Sequence, residues 1–177
     1  MRASDSRFVG SVTVNGGGQP LAVIANQTGT TVGRDRVVNT YGGFGSGANN
    51  IALPLVQNAN AGFFTGVSVQ NVGTTPANVT ISFSPNRTGL PASPPANIVE
   101  TLAPGAALAF NTAVVIGALD NPSNRYVGAA TVSSTGGQVV AVVNQNRGVT
   151  TDEPSVSVPR TRASRPQPLP TTSVLRC

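Results

Sequence analysis

The sequence contains no histidine, no lysine and no tryptophan, and its one cysteine is the last residue, Cys177. Each absence removes a chemistry. Without His there is no Ser-His-Asp or Cys-His nucleophile and no His-bearing zinc site. Without Lys there is no Schiff base and no lysine-based dyad or isopeptide crosslink. One Cys closes no internal disulfide, so a thiol nucleophile or an interchain bridge would have to be Cys177. Charge is scarce as well: 10% of residues are charged, against about 25% in an average soluble domain. Long helices need solvated charged faces, and there is little here to build them. No apolar run reaches the roughly 18 residues of a membrane span. Met1-Arg2-Ala3-Ser4-Asp5-Ser6-Arg7 lacks the apolar stretch of a signal peptide.

Arginine supplies all 11 basic residues and, against six acidic ones, leaves a net charge of +5. Arg160, Arg162, Arg165 and Arg176 fall in a proline-rich tail, and the rest are scattered. No aromatics alternate with them and no recognition helix is visible, so no nucleic-acid partner is expected. What remains is Val, Ala, Thr, Asn, Ser, Gly and Pro. Branched and short side chains suit a pleated surface, and Gly, Pro and Asn make its turns. The composition predicts an all-β protein.

The chain repeats itself. Phe8-Val9-Gly10-Ser11-Val12-Thr13-Val14 matches Tyr126-Val127-Gly128-Ala129-Ala130-Thr131-Val132, and Leu21 to Gln27 matches Val139 to Gln145, at a constant spacing of 118 residues. In each copy two apolar strands flank a Gly-rich turn, Asn15-Gly16-Gly17-Gly18 or Ser133-Ser134-Thr135-Gly136-Gly137. That pattern predicts a β-hairpin. The spacing approaches the roughly 100 residues of a whole sandwich domain. Residues 1–27 then read as a hairpin ending a preceding module or donated to another chain, with Val9, Val12, Val14, Leu21, Val23 and Ile24 as its candidate inter-subunit residues. Residues 28–49, with Tyr41-Gly42-Gly43-Phe44-Gly45-Ser46-Gly47, read as a flexible Gly-rich connection. Residues 50–145 read as the full module, and 146–177 as a Pro/Arg-rich tail or linker.

Within 50–145 about seven strands are expected. Pro54 marks Ile51 to Val56 as an edge or bulged strand. Phe63 to Gln70 follows, and then Ala77-Asn78-Val79-Thr80-Ile81-Ser82-Phe83, where Val79, Ile81 and Phe83 alternate toward a core. Ile98 to Leu102 and Ala107 to Phe110 come next, with Glu100 expected on a solvated face. Ala113 to Leu119 reads as a short helix or a buried crossing. The hairpin at 126–145 closes the module.

Val67-Ser68-Val69-Gln70-Asn71-Val72-Gly73-Thr74-Thr75-Pro76 through Thr80 resembles the paired strands of bacterial immunoglobulin-like domains, including the cell-adhesion-related repeats of secreted and surface proteins. Leu102-Ala103-Pro104-Gly105-Ala106 resembles that family's late turn. The resemblance spans roughly residues 50–145. It implies an antiparallel immunoglobulin-like sandwich with a structural or adhesive role outside the cell, and no chemistry.

Candidates for chemistry are few. The carboxylates are Asp5, Asp35, Glu100, Asp120, Asp152 and Glu153, none of them paired by spacing in the manner of a glycosidase. Asp120-Asn121-Pro122-Ser123-Asn124 offers oxygens but lacks the repeating acidic pattern of a calcium loop, and reads as a turn. No enzyme activity, cofactor or metal is expected. The partners expected are neighbouring modules or identical subunits joined by strand pairing. Three roles stay open: a structural or adhesive module, a self-polymerising filament subunit, and a carbohydrate-binding module. For the last, Tyr41, Phe44 and Tyr126 are the candidate sugar-stacking rings, with Phe63, Phe64, Phe83 and Phe110 assigned to the core.

Overall fold

Alternation of apolar and polar side chains builds this protein. In the computed structural model, which describes residues 10–30 and 36–148, the chain runs as β1 (Ile24–Thr30), β2 (Arg36–Gly42), β3 (Asn50–Asn58), β4 (Phe63–Asn71), β5 (Ala77–Phe83), β6 (Ile98–Leu102) and β7 (Ala107–Asn111). A single helical turn, α1 (Thr112–Val115), and a 3-10 turn at Pro122–Asn124 then lead to β8 (Tyr126–Gly136) and β9 (Val139–Arg147). The last seven strands form two antiparallel sheets, ordered β3-β8-β5-β6 and β7-β4-β9. The architecture is an all-β sandwich.

Each strand contributes one face to the interior. Ala77, Val79 and Ile81 of β5 are wholly buried, and Asn78 between them is exposed. Val67 and Val69 of β4 meet Val132 of β8 and Val139 of β9 in the same core. Burying a Val or Ile side chain is worth about 1.5–3 kcal/mol, so a valine-rich interior suffices without a disulfide. Phe83 and Phe110 meet edge to face, their centroids 6.3 Å apart. In β3 the register to β8 slips between Leu53 and Val56. Pro54 sits in that slip on an edge strand, where its missing N–H costs no ladder bond.

Two expectations of pairing are corrected here. The segment 126–145 is not a hairpin: β8 pairs with β3 and β5, while β9 pairs with β4. The two consecutive strands lie in opposite sheets as a β-arch, turning at Gly136, whose φ is +88°. A Cβ there would collide with the carbonyl oxygen of Pro76, so the turn requires glycine. The seven strands divide four and three, as in an immunoglobulin constant-type sandwich, whereas in that fold the last two strands share a sheet.

The N-terminal hairpin is displaced as well. Residues 10–14 form no strand, and Ile24 to Thr30 pair forward with Arg36 to Gly42, from Ile24 opposite Gly42 to Thr30 opposite Arg36. The stretch expected to be a flexible connection thus contains β2. The physical reason is local. Arg36 to Tyr41 offers branched and aromatic residues a few positions downstream, whereas Val12 and Val14 stay exposed at 81% and 55%. The Asn15-Gly16 turn does form: the Gly17 amide donates to Asn15 Oδ1 at 2.9 Å and the Gln19 amide to the Gly16 carbonyl at 3.1 Å. Val9 and the tail from 149 onward lie outside the described residues.

Candidate functional site

The buried polar side chains show first what the interior is for. Thr65 of β4 is wholly buried, and its hydroxyl accepts the Gln57 amide of β3 at 2.9 Å and reaches Gln145 Oε1 of β9 at 3.2 Å. The Thr65 amide donates to the Thr112 hydroxyl at 3.0 Å, and that hydroxyl donates to the Gln57 carbonyl at 2.7 Å. Gln57 Nε2 donates to Gln145 Oε1 at 2.8 Å. One network therefore clamps β3 of one sheet to β4 and β9 of the other, with α1 as its fourth member. The helix is positioned for this by Asn111, whose side chain caps it by accepting the Val114 amide.

A second polar group closes the opposite end. Asn71, wholly buried, donates through Nδ2 to the Thr75 carbonyl at 2.8 Å and the Leu102 carbonyl at 2.9 Å, and its Oδ1 accepts the Gly73 amide at 2.9 Å. The Asn71-Val72-Gly73 turn was legible in the sequence, but the bond to Leu102 was not. Thr65 and Thr112 carried no signal at all, because buried threonines read like any strand threonine.

Of the carboxylates, Asp5, Asp35, Asp152 and Glu153 lie outside the described residues. Among the described residues only Glu100 and Asp120 carry one, and both are exposed. No group of three His, Cys, Asp or Glu that could hold a metal occurs among the described residues. The loop from Asp120 spends its amides on its own turn: Asn121 Oδ1 accepts the Ser123 amide at 3.0 Å and Asn124 Nδ2 donates to the Ala118 carbonyl at 3.0 Å. Glu100 is exposed to solvent, as expected, but not on the outward face of its strand. Its strand partner is buried Val79, and it alternates with Ile98 and Leu102 on the inner side of edge strand β6 while remaining in solvent. Val99, 68% exposed, points the other way.

The candidate aromatic platform also changes. Tyr126 is wholly buried and its hydroxyl donates to the Ser84 carbonyl, so it cannot stack on a sugar. Phe63, assigned to the core, is instead 38% exposed with the Arg147 guanidinium 5.6 Å above its ring. Tyr41 and Phe44 remain exposed.

The surface that stands out is the N-terminal segment. Of the thirteen large hydrophobics exposed among the described residues, eight lie between Val12 and Phe44. They include Val12, Val14, Leu21, Val23 and Ile24, five of the six residues expected to mediate contact between subunits. The β1-β2 hairpin lies against β9 through polar side chains: Asn144 donates to Gln27 Oε1 at 3.0 Å and Asn39 to Asn146 Oδ1 at 3.2 Å. Ser11 Oγ donates to the Gly105 carbonyl at 3.2 Å. Amide pairs hold the segment to the sandwich while its aliphatic side chains face water.

Fold and interior together define a β-sandwich clamped by polar side chains and carrying an apolar appendage. Comparison with known proteins finds no matching family model, curated protein or solved structure. No helix among the described residues is long and apolar enough to cross a membrane.

Proposed function

We propose that this protein is a non-catalytic structural or adhesive β-sandwich module of a bacterial surface protein, working outside the cell beside similar modules. The observation that carries the reading is where the buried polar atoms are spent. Gln57, Thr65, Asn71 and Thr112 are engaged in bonds that join one sheet to the other or fix a turn, and buried Asn58 ties β3 to the Gly117 and Asn124 carbonyls through Nδ2 while its Oδ1 has no partner among the described residues. Enzymes hold such groups toward a substrate, with environments that tune them; here they hold strands. The immunoglobulin-like resemblance of residues 50–145 and the repeat at a spacing of 118 residues support a place in a string of modules. Antibodies raised against the sandwich are expected to label intact cells of the producing organism. Labelling seen only after permeabilisation would remove the extracellular reading.

A second reading, a self-assembling subunit, is favoured by one specific observation: Val12, at 81% exposed, and Ile24, at 71%, leave the N-terminal segment apolar and uncovered. A run of exposed aliphatic residues concentrated in one segment of the chain is the kind of surface that association covers. Glycan binding retains Tyr41 and Phe44 as candidate rings, and a glycan screen with this chain tests them.

A further inference from the structure

We infer that residues 10–27 are a transferable copy of residues 128–145 of the arch, and that they dock into the core of a second copy of this chain. The inference rests on the self-assembly reading and names its occupant. At the spacing of 118 residues, the inward positions of the resident arch have apolar or small counterparts at every step. Gly128, Ala130 and Val132 correspond to Gly10, Val12 and Val14, and Val139 and Ala141 to Leu21 and Val23. Gln145, which closes the polar clamp, corresponds to Gln27.

Burial separates the two copies. Ala130, Val132 and Val139 are 4%, 0% and 0% exposed, whereas Val12, Val14 and Leu21 are 81%, 55% and 53% exposed. The N-terminal copy stays open because residues 10–14 form no strand and Ile24 to Gln27 pair with β2. To dock as an arch it must release β2 and find a sandwich whose two sheets receive its two halves. The required surface is the one that covers the resident copy: Ile51 and Ile81 beside Val132 in one sheet and Asn71 beside Val139 in the other. Gly10 also preserves the close approach at Gly128, where a Cβ would collide with the Tyr126 hydroxyl.

The fit is imperfect at more than one point: Val12 and Leu21 are larger than the buried Ala130 and Val139 whose places they would take, and a glycine is lost at the turn. Gln19 falls where Gly137 lies, and a Cβ there would be 2.5 Å from Asn71 Oδ1 and from the Thr75 carbonyl. The resident arch also has the advantage of being tethered to its groove. It therefore prevails in an isolated folded molecule, and exchange is favoured when chains refold together at high concentration. A docked N-terminal arch releases the acceptor's own 126–145 segment, so the contact is head-to-tail and propagates.

The test uses the full chain with Cys177→Ser. Val14→Cys and Ile81→Cys are added, because Ile81 is the strand partner of Val132, the residue Val14 would replace. After unfolding, refolding at increasing concentration and oxidation, a disulfide between position 14 of one chain and position 81 of another is expected, as a ladder of multimers growing with concentration. The pair Val132→Cys and Ile81→Cys should close within one chain, showing that the core tolerates the change. Absence of the 14–81 crosslink at every concentration, or its formation within single chains, overturns the inference. Should the paired variants fail to fold, the cysteine-free chain decides. It is expected to form multimers on concentrated refolding, and Val14→Asp is expected to abolish them without moving the melting temperature. A cysteine-free chain that stays monomeric, or a Val14→Asp chain that assembles equally, also overturns it. Neither result touches the extracellular structural reading, which cell labelling tests by itself.

Discussion

The Tyr126 hydroxyl donates to the main-chain carbonyl of Ser84 at 2.8 Å, tying the first residue of β8 to the chain just beyond β5. The ring is wholly buried, so its hydroxyl must find a partner inside the protein. Tyr126→Phe keeps the ring and deletes the donor. A loss of about 1–2 kcal/mol is expected, read as a lower midpoint in thermal or urea unfolding. Gly128→Ala forces a methyl group against the same hydroxyl and should cost about 1–3 kcal/mol by overpacking. Unchanged midpoints in both variants would show that the ring is not held by this bond.

Thr112 serves two main-chain groups at once, accepting from the Thr65 amide and donating to the Gln57 carbonyl. Thr112→Val preserves shape but strands both groups in the interior. At about 1–3 kcal/mol for each unsatisfied buried group, at least about 2 kcal/mol of stability should be lost. Thr112→Ser, which keeps the hydroxyl, should lose much less. Equal effects of Val and Ser would place the contribution in the methyl group and remove the clamp as its cause.

Much of the sandwich was legible because its strands carry their own periodicity. Val79, Ile81 and Phe83 alternate without interruption, and Pro54 announced the irregular edge. In sequence the arch reads as a hairpin, because a Gly-rich turn between apolar strands looks the same whether the strands pair or part. Only the corner at Gly136 and the partners of each strand, residues far away in sequence, distinguish the two. For the same reason β2 was hidden: Tyr41 to Gly47 is glycine-rich, and β1 could be assigned a partner only once its upstream neighbour was known to have no sheet. Of the candidate site, the apolar residues of the N-terminal segment were visible as a repeat. Their exposure was not, since burial depends on what the rest of the chain leaves uncovered.

Asn71 directs its Nδ2 at two carbonyl oxygens, Thr75 and Leu102. Asn71→Asp puts an oxygen where two acceptors need a donor, in a position with no solvent access. Burial and the facing carbonyls both disfavour the carboxylate, so the folded state raises this group's pKa above the unfolded value of about 3.9. The folded protein then binds the proton more tightly than the unfolded chain. Stability is retained below the unfolded pKa and lost as pH rises through the folded one. The variant should be markedly weakened at pH 7 and recover toward pH 4, whereas Asn71→Ala should show no such recovery relative to the parent. A pH-independent deficit in Asn71→Asp would contradict the assigned bonds.

Glu100 occupies the inner side of an exposed edge strand, opposite buried Val79 and between Ile98 and Leu102. A charge in that position resists a second strand's addition to the edge, because pairing there would desolvate it. With Val99 already 68% exposed on the other side, Glu100 is the one charge on β6 and keeps its inner side from being wholly apolar. Glu100→Val should leave the monomer's unfolding midpoint unchanged or slightly raised, since more apolar surface meets the core, while concentrated samples aggregate faster by light scattering. Glu100→Lys should behave like the parent, because either sign of charge must be desolvated for the edge to pair. Aggregation of the Lys variant at the rate of the Val variant would assign the protection to a specific carboxylate contact instead. Equal rates for all three proteins would move the site of association away from β6 altogether.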